Sequence, residues 1–490
     1  MKLVLNIKTL LLCFIWFFML VITFFSDFLP MVYGGYADQR FILCLSLILI
    51  ISITLPSAVL SKKKMVIILP FLLCLIIGGF MSNVNPYNWI EPLLYCFFFI
   101  SICLIGNYIT VNNLQSKACF YLVWLAAVVC FFYASVSLML YVFSLEKNLS
   151  SFSNVIPFGF DNIRFWSHTA TWLLPLFPLA VIGYDQARYR LWRFMVMFTA
   201  AIWWWLAIHM VSRGSILSLV IATIVVLIIF QKLALPWFKL MCHYFIVGTL
   251  TWFLLSYVVP EWILNIDETL IRSLNTTSSG RIPLWEEAWA MSLQNFPFGM
   301  GAQSWLTHDL LIGSYKDSIK LSHPHNMYLM WAAEYGWISV LCILSVVCWV
   351  FFRLREKSRA FIHNKDLDSQ NVVGFTAAVI AGFIHAGVSA VFIIPGSMML
   401  GLGVLAEFLA LILPVSGYDK GSEGSQNQRI KRPLFMLMFL ALSVWWLTQV
   451  WNYHEAMLKD LVTDEGKAAQ ELKPRFWLQG NYPRTDTHIN

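Results

Sequence analysis

Charged residues are scarce in this chain: Asp, Glu, Lys and Arg make up 12% of its 490 residues. A soluble globular domain carries about twice that fraction. Here 59% of the residues are hydrophobic and the mean hydropathy is +0.71. These values exclude a soluble domain and indicate a polytopic membrane protein. The net charge of +7 does not indicate nucleic-acid binding, because the basic residues cluster in short loops between apolar stretches.

Cysteine is missing from the large polar loops. All ten cysteines lie in or at the ends of apolar stretches, which excludes a disulfide framework and a Cys-rich metal site. The sequence also shows no internal repeat. No small-residue cleavage pattern follows the first apolar stretch, so we expect that stretch to span the membrane rather than to be removed as a leader.

About thirteen apolar segments are long enough to cross a bilayer as helices. We therefore predict an all-α polytopic membrane protein with 12–14 transmembrane helices and a large loop at 260–325 that carries short helices. The predicted spans are 9–29, 41–59, 65–81, 89–108, 119–143, 166–183, 194–211, 215–231, 239–259, 326–352, 371–392, 397–414 and 433–451. Along the chain we divide these into N-terminal helices (1–143), a central region (144–414) and a C-terminal part with the last helix and a short tail (415–490).

Lys and Arg in the short loops predict the orientation, because cytoplasmic loops carry an excess of both. Five basic clusters fall on one side of the membrane if the N-terminus is cytoplasmic. They are 62–64, 188–193, 232–239, 353–359 and 429–432. The external side then receives the loops 144–165 and 260–325, the turn at 212–214 and the tail after 451.

The most informative motif is His323-Pro324-His325-Asn326, at the end of the large loop and at the start of an apolar helix. Imidazoles at the mouth of a membrane helix cost desolvation energy, so two together indicate a chemical role. His325 is the predicted base, because a neutral imidazole accepts a proton from a hydroxyl group near neutral pH. His323 either does the same or orients His325. No Asp, Glu or Cys lies at ligand spacing, so we expect neither a metal nor a cofactor.

Arg281 lies at the start of a helix predicted over 282–293. A cation at a helix N-terminus opposes the macrodipole, whereas the free N–H groups there attract anions. Arg281 and this helix end therefore predict a phosphate site. The alternative is an ion pair with Glu286 or Asp267. Arg272, in the same loop, is a further candidate for the phosphate.

Arg213 lies between two apolar spans on the external side, where a basic residue runs against the usual charge bias. The neighbouring Gly214 lets a ligand approach closely. The alternative is that Arg213 snorkels to lipid headgroups. Arg164 and His168 open the span after the other external loop, and phosphate or sugar contacts and interfacial anchoring explain them equally well.

Trp285 and Asn326 are candidates for contacts with a sugar or an acceptor. Trp285 lies on the helix at 282–293 with Trp289 and Ser292 along one face. The alternative for this helix is an interfacial helix that lies on the membrane with its tryptophans at the headgroups.

Taken together, these motifs resemble the O-antigen ligase and polymerase superfamily of bacterial envelope enzymes, over about residues 150–400. The elements that carry the resemblance occur in family order. They are Ser212-Arg213-Gly214, Ser279-Gly280-Arg281 with Trp285, the turn at 295–301, and His323-Pro324-His325-Asn326 with Glu334-Tyr335-Gly336. Ser339 stands where the ligases have a second glycine after Gly336.

The resemblance implies a metal-independent, inverting glycosyltransferase of the bacterial inner membrane, with its active site facing the periplasm. It implies an undecaprenyl-diphosphate-linked glycan as donor. Arg213 and Arg281 would bind the diphosphate, and His325 would deprotonate the acceptor hydroxyl. Positioned guanidinium groups suit a leaving group on which charge accumulates.

The acceptor stays open among three classes. Transfer to lipid A–core is favoured, and transfer to a protein such as pilin follows closely, because a tail lies on the external side. Some polymerases have an external Arg followed eleven positions later by Gly. None of the external arginines shows this spacing, which disfavours a polymerase. A polyprenyl-glycan transporter would need charged residues deep in the spans, and the sequence has few.

Overall fold

The structure, a computed structural model, describes most of the chain. The described residues are 6–29, 35–57, 62–81, 86–146, 157–183, 187–264, 280–316, 321–361, 367–413, 426–463 and 474–479. Within them the secondary structure is helical, with no β-strand. This confirms the predicted all-α class.

The α-helices of the described residues follow one another along the chain, with long connections before and after α10. In chain order they are α1 (Ile7–Phe25), α2 (Gly35–Thr54), α3 (Lys62–Met81), α4 (Ile90–Val111), α5 (Gln115–Glu146), α6 (Ile163–Leu173), α7 (Arg190–His209), α8 (Arg213–Phe230), α9 (Leu235–Phe253), α10 (Arg281–Gln294), α11 (Gly313–Lys316), α12 (Met327–Phe361), α13 (Leu367–Ala386), α14 (Pro395–Ile412) and α15 (Gln426–Leu461).

Ten helical segments in the described part of the chain are long and apolar enough to cross a membrane. One of them, Arg213–Ile263, holds both α8 and α9, and the apolar part of α3 is shorter. The predicted span 166–183 is not one continuous α-helix. It consists of α6 and a 3-10 segment, Leu174–Ala180, that contains Pro175 and Pro178. Proline lacks the amide hydrogen that an α-helix needs, which explains the break.

The chain divides into two compact units, each built from three stretches of sequence. The first unit comprises Met1–Gln39, Gln115–Thr276 and Arg353–Ile412. The second unit comprises Arg40–Leu114, Thr277–Phe352 and Leu413–Asn490. Each unit thus combines residues from the early, middle and late parts of the chain.

In the first unit, α13 and α14 pack closely on α6 around the buried Trp172. Gly382 of α13 and Gly401 of α14 both face the Trp172 ring, and a side chain at either position would meet it. Trp172 Nε1 donates a hydrogen bond to Ser397 Oγ at 3.1 Å. Small residues let membrane helices approach closely, and here they make room for one large indole.

In the second unit, α10 and the first half of α12 share one hydrophobic core. Leu284, Ala288 and Met291 of α10 pack with Trp305 and with Ala333 of α12. α10 is the helix that the sequence predicted at 282–293. The helices that begin with Arg281 and directly after the His pair therefore belong to one packed body.

Candidate functional site

His323 and His325 lie immediately before α12, and their side chains are only 4% and 8% exposed. The ring centroids are 4.3 Å apart with the planes at 77°. The backbone N–H of His325 donates to His323 Nδ1 at 3.1 Å. His323 thus accepts at Nδ1, which fixes its ring against the backbone of His325. The contact orients the His323 ring, and it involves the backbone rather than the imidazole of His325.

The backbone of His325 has a φ of +54°, a left-handed conformation that is uncommon for residues other than glycine. The next residue, Asn326, caps α12. Its Oδ1 accepts hydrogen bonds from the backbone N–H groups of Tyr328 at 3.0 Å and Leu329 at 3.1 Å. Such a cap satisfies two amides that a helix start leaves open. Since Oδ1 forms the helix cap, the Nδ2 group of Asn326 remains for the predicted contact with a sugar.

α12 is interrupted at Gly336, whose φ of +83° and ψ of +164° are not helical. The interruption leaves carbonyl groups of the preceding turn without their helical amide partners. The N–H of Met300 donates to the carbonyl of Ala333 at 2.8 Å, and the N–H of Gly301 to that of Glu334 at 2.9 Å. The glycine-rich turn at 295–301 therefore docks on the interruption of α12.

Two glycines make this docking possible. A Cβ at Gly299 would lie 2.5 Å from the backbone nitrogen of Gly336, and one at Gly336 would overlap the carbonyl oxygen of Pro297. Ser339 Oγ then donates to the carbonyl of Gly336 at 2.7 Å and is fully buried. The serine that departs from the ligase pattern stabilises the interruption.

Arg281 is the first residue of α10, after Gly280 in a left-handed conformation with φ of +70°. Its side chain is partly exposed, and α10 belongs to the core described above. Glu286, one alternative partner of Arg281, accepts a hydrogen bond from Ser314 Oγ at 2.9 Å. Asp267 and Arg272 lie outside the described residues.

Trp285 packs partly buried against the core between α10 and α12. Its Nε1 is buried and has no hydrogen-bond partner among the residues that the structure describes. On the same side of α10 as Trp285, Ile282 and Trp289 are each about half exposed. α10 thus buries one apolar side in the core and exposes a second apolar strip.

Glu287 and His308 form a fully buried pair that holds the loop after α10. Glu287 Oε1 lies 2.9 Å from His308 Nε2, and the Glu287 carboxylate accepts from the N–H groups of Leu311 at 2.8 Å and Ile312 at 2.9 Å. Burial alone would raise the pKa of Glu287, but the His308 hydrogen bond and the two amides outweigh it and hold that pKa below its usual value.

A second buried network joins two span carboxylates to the C-terminal tail. Arg475 Nε donates to both oxygens of Glu91 at 3.0 Å, and Arg475 Nη2 donates to Glu334 Oε2 at 2.5 Å. The N–H of Trp305 donates to the other oxygen of Glu334 at 3.3 Å. The sequence analysis did not predict these partners of Glu334. The sequence signal for this network is the position of Glu91 and Glu334 within apolar segments, because a buried carboxylate needs a cation as its partner.

In the first unit, Arg213 begins α8 and its side chain is exposed. The adjacent Gly214 lies against His385, with His385 Nε2 3.3 Å from the position of a Cβ there. His168 Nε2 lies 2.6 Å from Ser389 Oγ, and the His168 and His385 rings are 5.0 Å apart. The structure therefore brings His168 and the start of α8 together around His385.

Arg164 lies one turn before His168, in the first turn of α6. Its backbone N–H donates to the side-chain oxygen of Asn162, the cap of that helix, at 2.9 Å. Its side chain is partly exposed. Arg164 and His168 thus belong to one short helix of the first unit.

The sequence model of the O-antigen ligase family matches residues 196–344. This match covers 149 of the 490 residues and supports membership in the O-antigen ligase superfamily. Its members are membrane enzymes that transfer glycans, as ligases or polymerases. The matched region contains Arg213, Arg281, His323 and His325 and ends before the second half of α12. Comparisons with curated proteins and with solved structures find no significant match.

Proposed function

We propose that this superfamily member is an O-antigen ligase. It moves an undecaprenyl-diphosphate-linked glycan en bloc to lipid A–core in the bacterial inner membrane, with the active site facing the periplasm. The observation that carries the proposal is the buried His323–His325 pair at the start of α12, joined by a hydrogen bond from the His325 backbone to His323 Nδ1, within the region that matches the ligase family.

The proposed reaction needs one base and a stabilised leaving group. The acceptor hydroxyl oxygen attacks the anomeric carbon of the glycan, and the bond from that carbon to the diphosphate oxygen breaks with inversion. The hydroxyl proton passes to His325. The departing undecaprenyl diphosphate keeps the bonding electrons, and a positioned guanidinium stabilises their charge.

Arg281 is the arginine proposed for the diphosphate in the second unit. It begins α10, so the helix N-terminus supports the same anion. α10, which begins with Arg281, and α12, which follows the His pair, share one core. This shared core supports a site that contains both Arg281 and the two histidines. Arg213, at the start of α8 in the first unit, has the same proposed role and is tested separately.

Transfer to a protein such as pilin and polymerisation remain the competing functions, and they use the same donor chemistry. A transporter is disfavoured because two carboxylates within the spans are paired with a cation. Arg475 donates hydrogen bonds to both Glu91 and Glu334, so these carboxylates do not line a polar path.

Deletion of the gene in its native bacterium separates these functions. Gels of lipopolysaccharide and of glycoproteins are compared, and the lipid-linked glycan is quantified. We expect long-chain lipopolysaccharide to disappear while full-length lipid-linked glycan accumulates. An intact ladder with unglycosylated pilin would instead establish a protein glycosyltransferase, and lipopolysaccharide with a single repeat would establish a polymerase.

Complementation with point variants tests the residue roles. We expect His325→Ala to lower transfer by about 10²–10⁴-fold at normal protein level, the range of general base catalysis. His243→Ala is the matched control, because His243 is exposed on α9 of the first unit. Full transfer by His325→Ala would remove the proposed base. Unchanged donor affinity in Arg281→Ala or Arg213→Ala would remove that arginine from the diphosphate site.

A further inference from the structure

The tail segment at 474–479 lies buried inside the second unit, although it follows the last helix. Arg475, Phe476 and Trp477 are at most 1% exposed. We propose that Arg475 is a positioning residue for the His323–His325 pair, so that the C-terminal tail is a structural part of the active site. This inference rests on the proposed function, because it assigns a task to the same pair.

The three guanidinium nitrogens of Arg475 reach three separate parts of the second unit. Nε contacts Glu91 on α4 and Nη2 contacts Glu334 on α12, as described above. Nη1 donates to the backbone carbonyl of Ser322 at 3.2 Å. Arginine presents its donors in a rigid planar fork, so these contacts define the relative positions of α4, α12 and the loop before the histidines.

Ser322 is the link between the tail and the histidines. Its carbonyl accepts from Arg475, and its hydroxyl donates to the carbonyl of Pro474 at 2.8 Å. The next residue is His323, whose Nδ1 accepts from the backbone of His325. The histidine loop is thus clamped at Ser322 and capped at Asn326, with only three residues between.

The tail also has anchors that do not involve the Arg475 side chain. Arg40 of α2 donates from Nε to the carbonyl of Phe476 at 2.9 Å, and its guanidinium lies 4.9 Å from the centre of the Phe476 ring. The Trp477 ring lies 5.1 Å from that of Phe41 and 4.7 Å from that of His454. A change confined to the Arg475 side chain therefore leaves most of the tail's packing in place.

Arg475 stays protonated over the whole pH range of an enzyme assay. Burial alone would lower its pKa, but the carboxylates of Glu334 and Glu91 outweigh burial and raise the pKa well above its usual value. The clamp on Ser322 thus does not titrate in the range in which a histidine base does. Loss of the guanidinium also leaves the carboxylates of Glu91 and Glu334 without their cation. The pH profile of an Arg475 variant therefore reports on these carboxylates as well as on the histidines, and the accessibility of the histidines is measured separately below.

The first test measures kinetics per folded molecule with purified protein, undecaprenyl-diphosphate-linked glycan and lipid A–core. We expect Arg475→Met to lower kcat by roughly 10²-fold, the effect of a displacement of about 1 Å at a reacting group. We expect Arg475→Lys, which keeps the charge and loses the fork, to recover only part of this loss. The KM of the donor stays near its wild-type value, and the pH dependence of kcat shifts.

The matched control is Arg353→Met, because Arg353 forms an exposed pair with Glu356 at 2.9 Å. We expect wild-type kcat and pH profile in this variant. A merely structural role for Arg475 would lower the yield of folded protein and leave kcat and the pH profile unchanged. That result in either Arg475 variant would overturn the proposal.

The second test needs no transfer activity, which separates this proposal from the proposed function. Diethyl pyrocarbonate modifies accessible imidazoles, and mass spectrometry gives the rate for each histidine. We expect Arg475→Met to accelerate modification of His323 and His325 and to leave the rate at the exposed His243 unchanged. Equal rates in the variant and the wild type would refute the positioning role even if the enzyme proved to be a ligase. Faster modification in a protein without ligase activity would support it while refuting the proposed function.

Discussion

The buried polar centres of the two units are built from different groups. In the first unit, two imidazoles are held by neutral hydroxyls: His168 lies 2.6 Å from Ser389 Oγ, and His385 Nδ1 lies 2.8 Å from Thr171 Oγ1. In the second unit, the centre is ionic, with Arg475 between Glu91 and Glu334. The side chains of both centres are buried, and Arg475 forms ion pairs with both glutamates of the second.

The difference follows from the backbone around each centre. In the first unit, Thr171 is on α6 and Ser389 follows directly after α13, and these two elements pack on each other, so hydrogen bonds to single hydroxyls suffice. In the second unit, α12 is interrupted at Gly336 and the neighbouring chain runs as loops. Ionic groups with several donors and acceptors can join such separate segments, whereas one hydroxyl joins only two. A buried ion pair is costly to break, because its loss leaves a charge unpaired.

The largest effect on stability is expected when the ionic centre loses one carboxylate. Glu334→Gln leaves Arg475 incompletely neutralised, and breaking a buried pair in this way costs about 3–5 kcal/mol. Thermal unfolding of the purified protein in detergent measures it. Glu356→Gln, at an exposed pair, is the matched control and is expected to cost about 0–1 kcal/mol. Equal losses in the two variants would show that the buried centre is no more important than a surface pair.

Gly336→Ala is expected to have the next largest effect. A backbone with φ of +83° and ψ of +164° is open essentially only to glycine and costs another residue about 1–3 kcal/mol, and overlap with the Pro297 carbonyl adds to that cost. We expect a lower yield of monodisperse protein and a lower unfolding temperature. Gly313→Ala, where no atom lies within 4 Å of the added Cβ, is the control. Wild-type stability of Gly336→Ala would contradict the docking of the turn at 295–301.

Glu287→Gln is expected to have a smaller and pH-dependent effect. The folded pKa of Glu287 lies below its unfolded value, so its contribution is complete above the unfolded pKa and is lost as pH falls through the folded pKa. The wild-type protein should exceed the variant in stability by about 1.5–3 kcal/mol near neutral pH, as for hydrogen bonds to charged groups. The two unfolding curves should converge in acid. A constant difference down to low pH would be inconsistent with this pair.

The smallest effect is expected in the first unit. Ser389→Ala removes the hydroxyl beside His168, and loss of a neutral hydrogen bond costs about 0.5–1.5 kcal/mol. The same unfolding assay measures it next to Glu334→Gln. If Ser389→Ala were as destabilising as Glu334→Gln, the contrast between a neutral and an ionic centre would not hold energetically.

The sequence by itself determined the class of the protein and its local elements. Hydropathy identified a helical membrane protein, because a chain in lipid must satisfy its backbone polar groups internally. Local signals predicted α10 within two residues at either end and the start of α12 at Asn326. Four motifs predicted the resemblance to the O-antigen ligase superfamily that the family model supports at residues 196–344. The roles predicted for His325, Arg281 and Arg213 remain predictions.

Only the tertiary structure decided which charged groups meet. Arg475 is 384 residues from Glu91 and 141 residues from Glu334 in the chain, and no local period relates such positions. The pairing of Glu287 with His308 and the docking of the turn at 295–301 on Gly336 also depend on packing between segments. Local propensity shapes a helix through contacts within a few residues, whereas a buried charge is stabilised by whichever opposite charge the fold brings next to it.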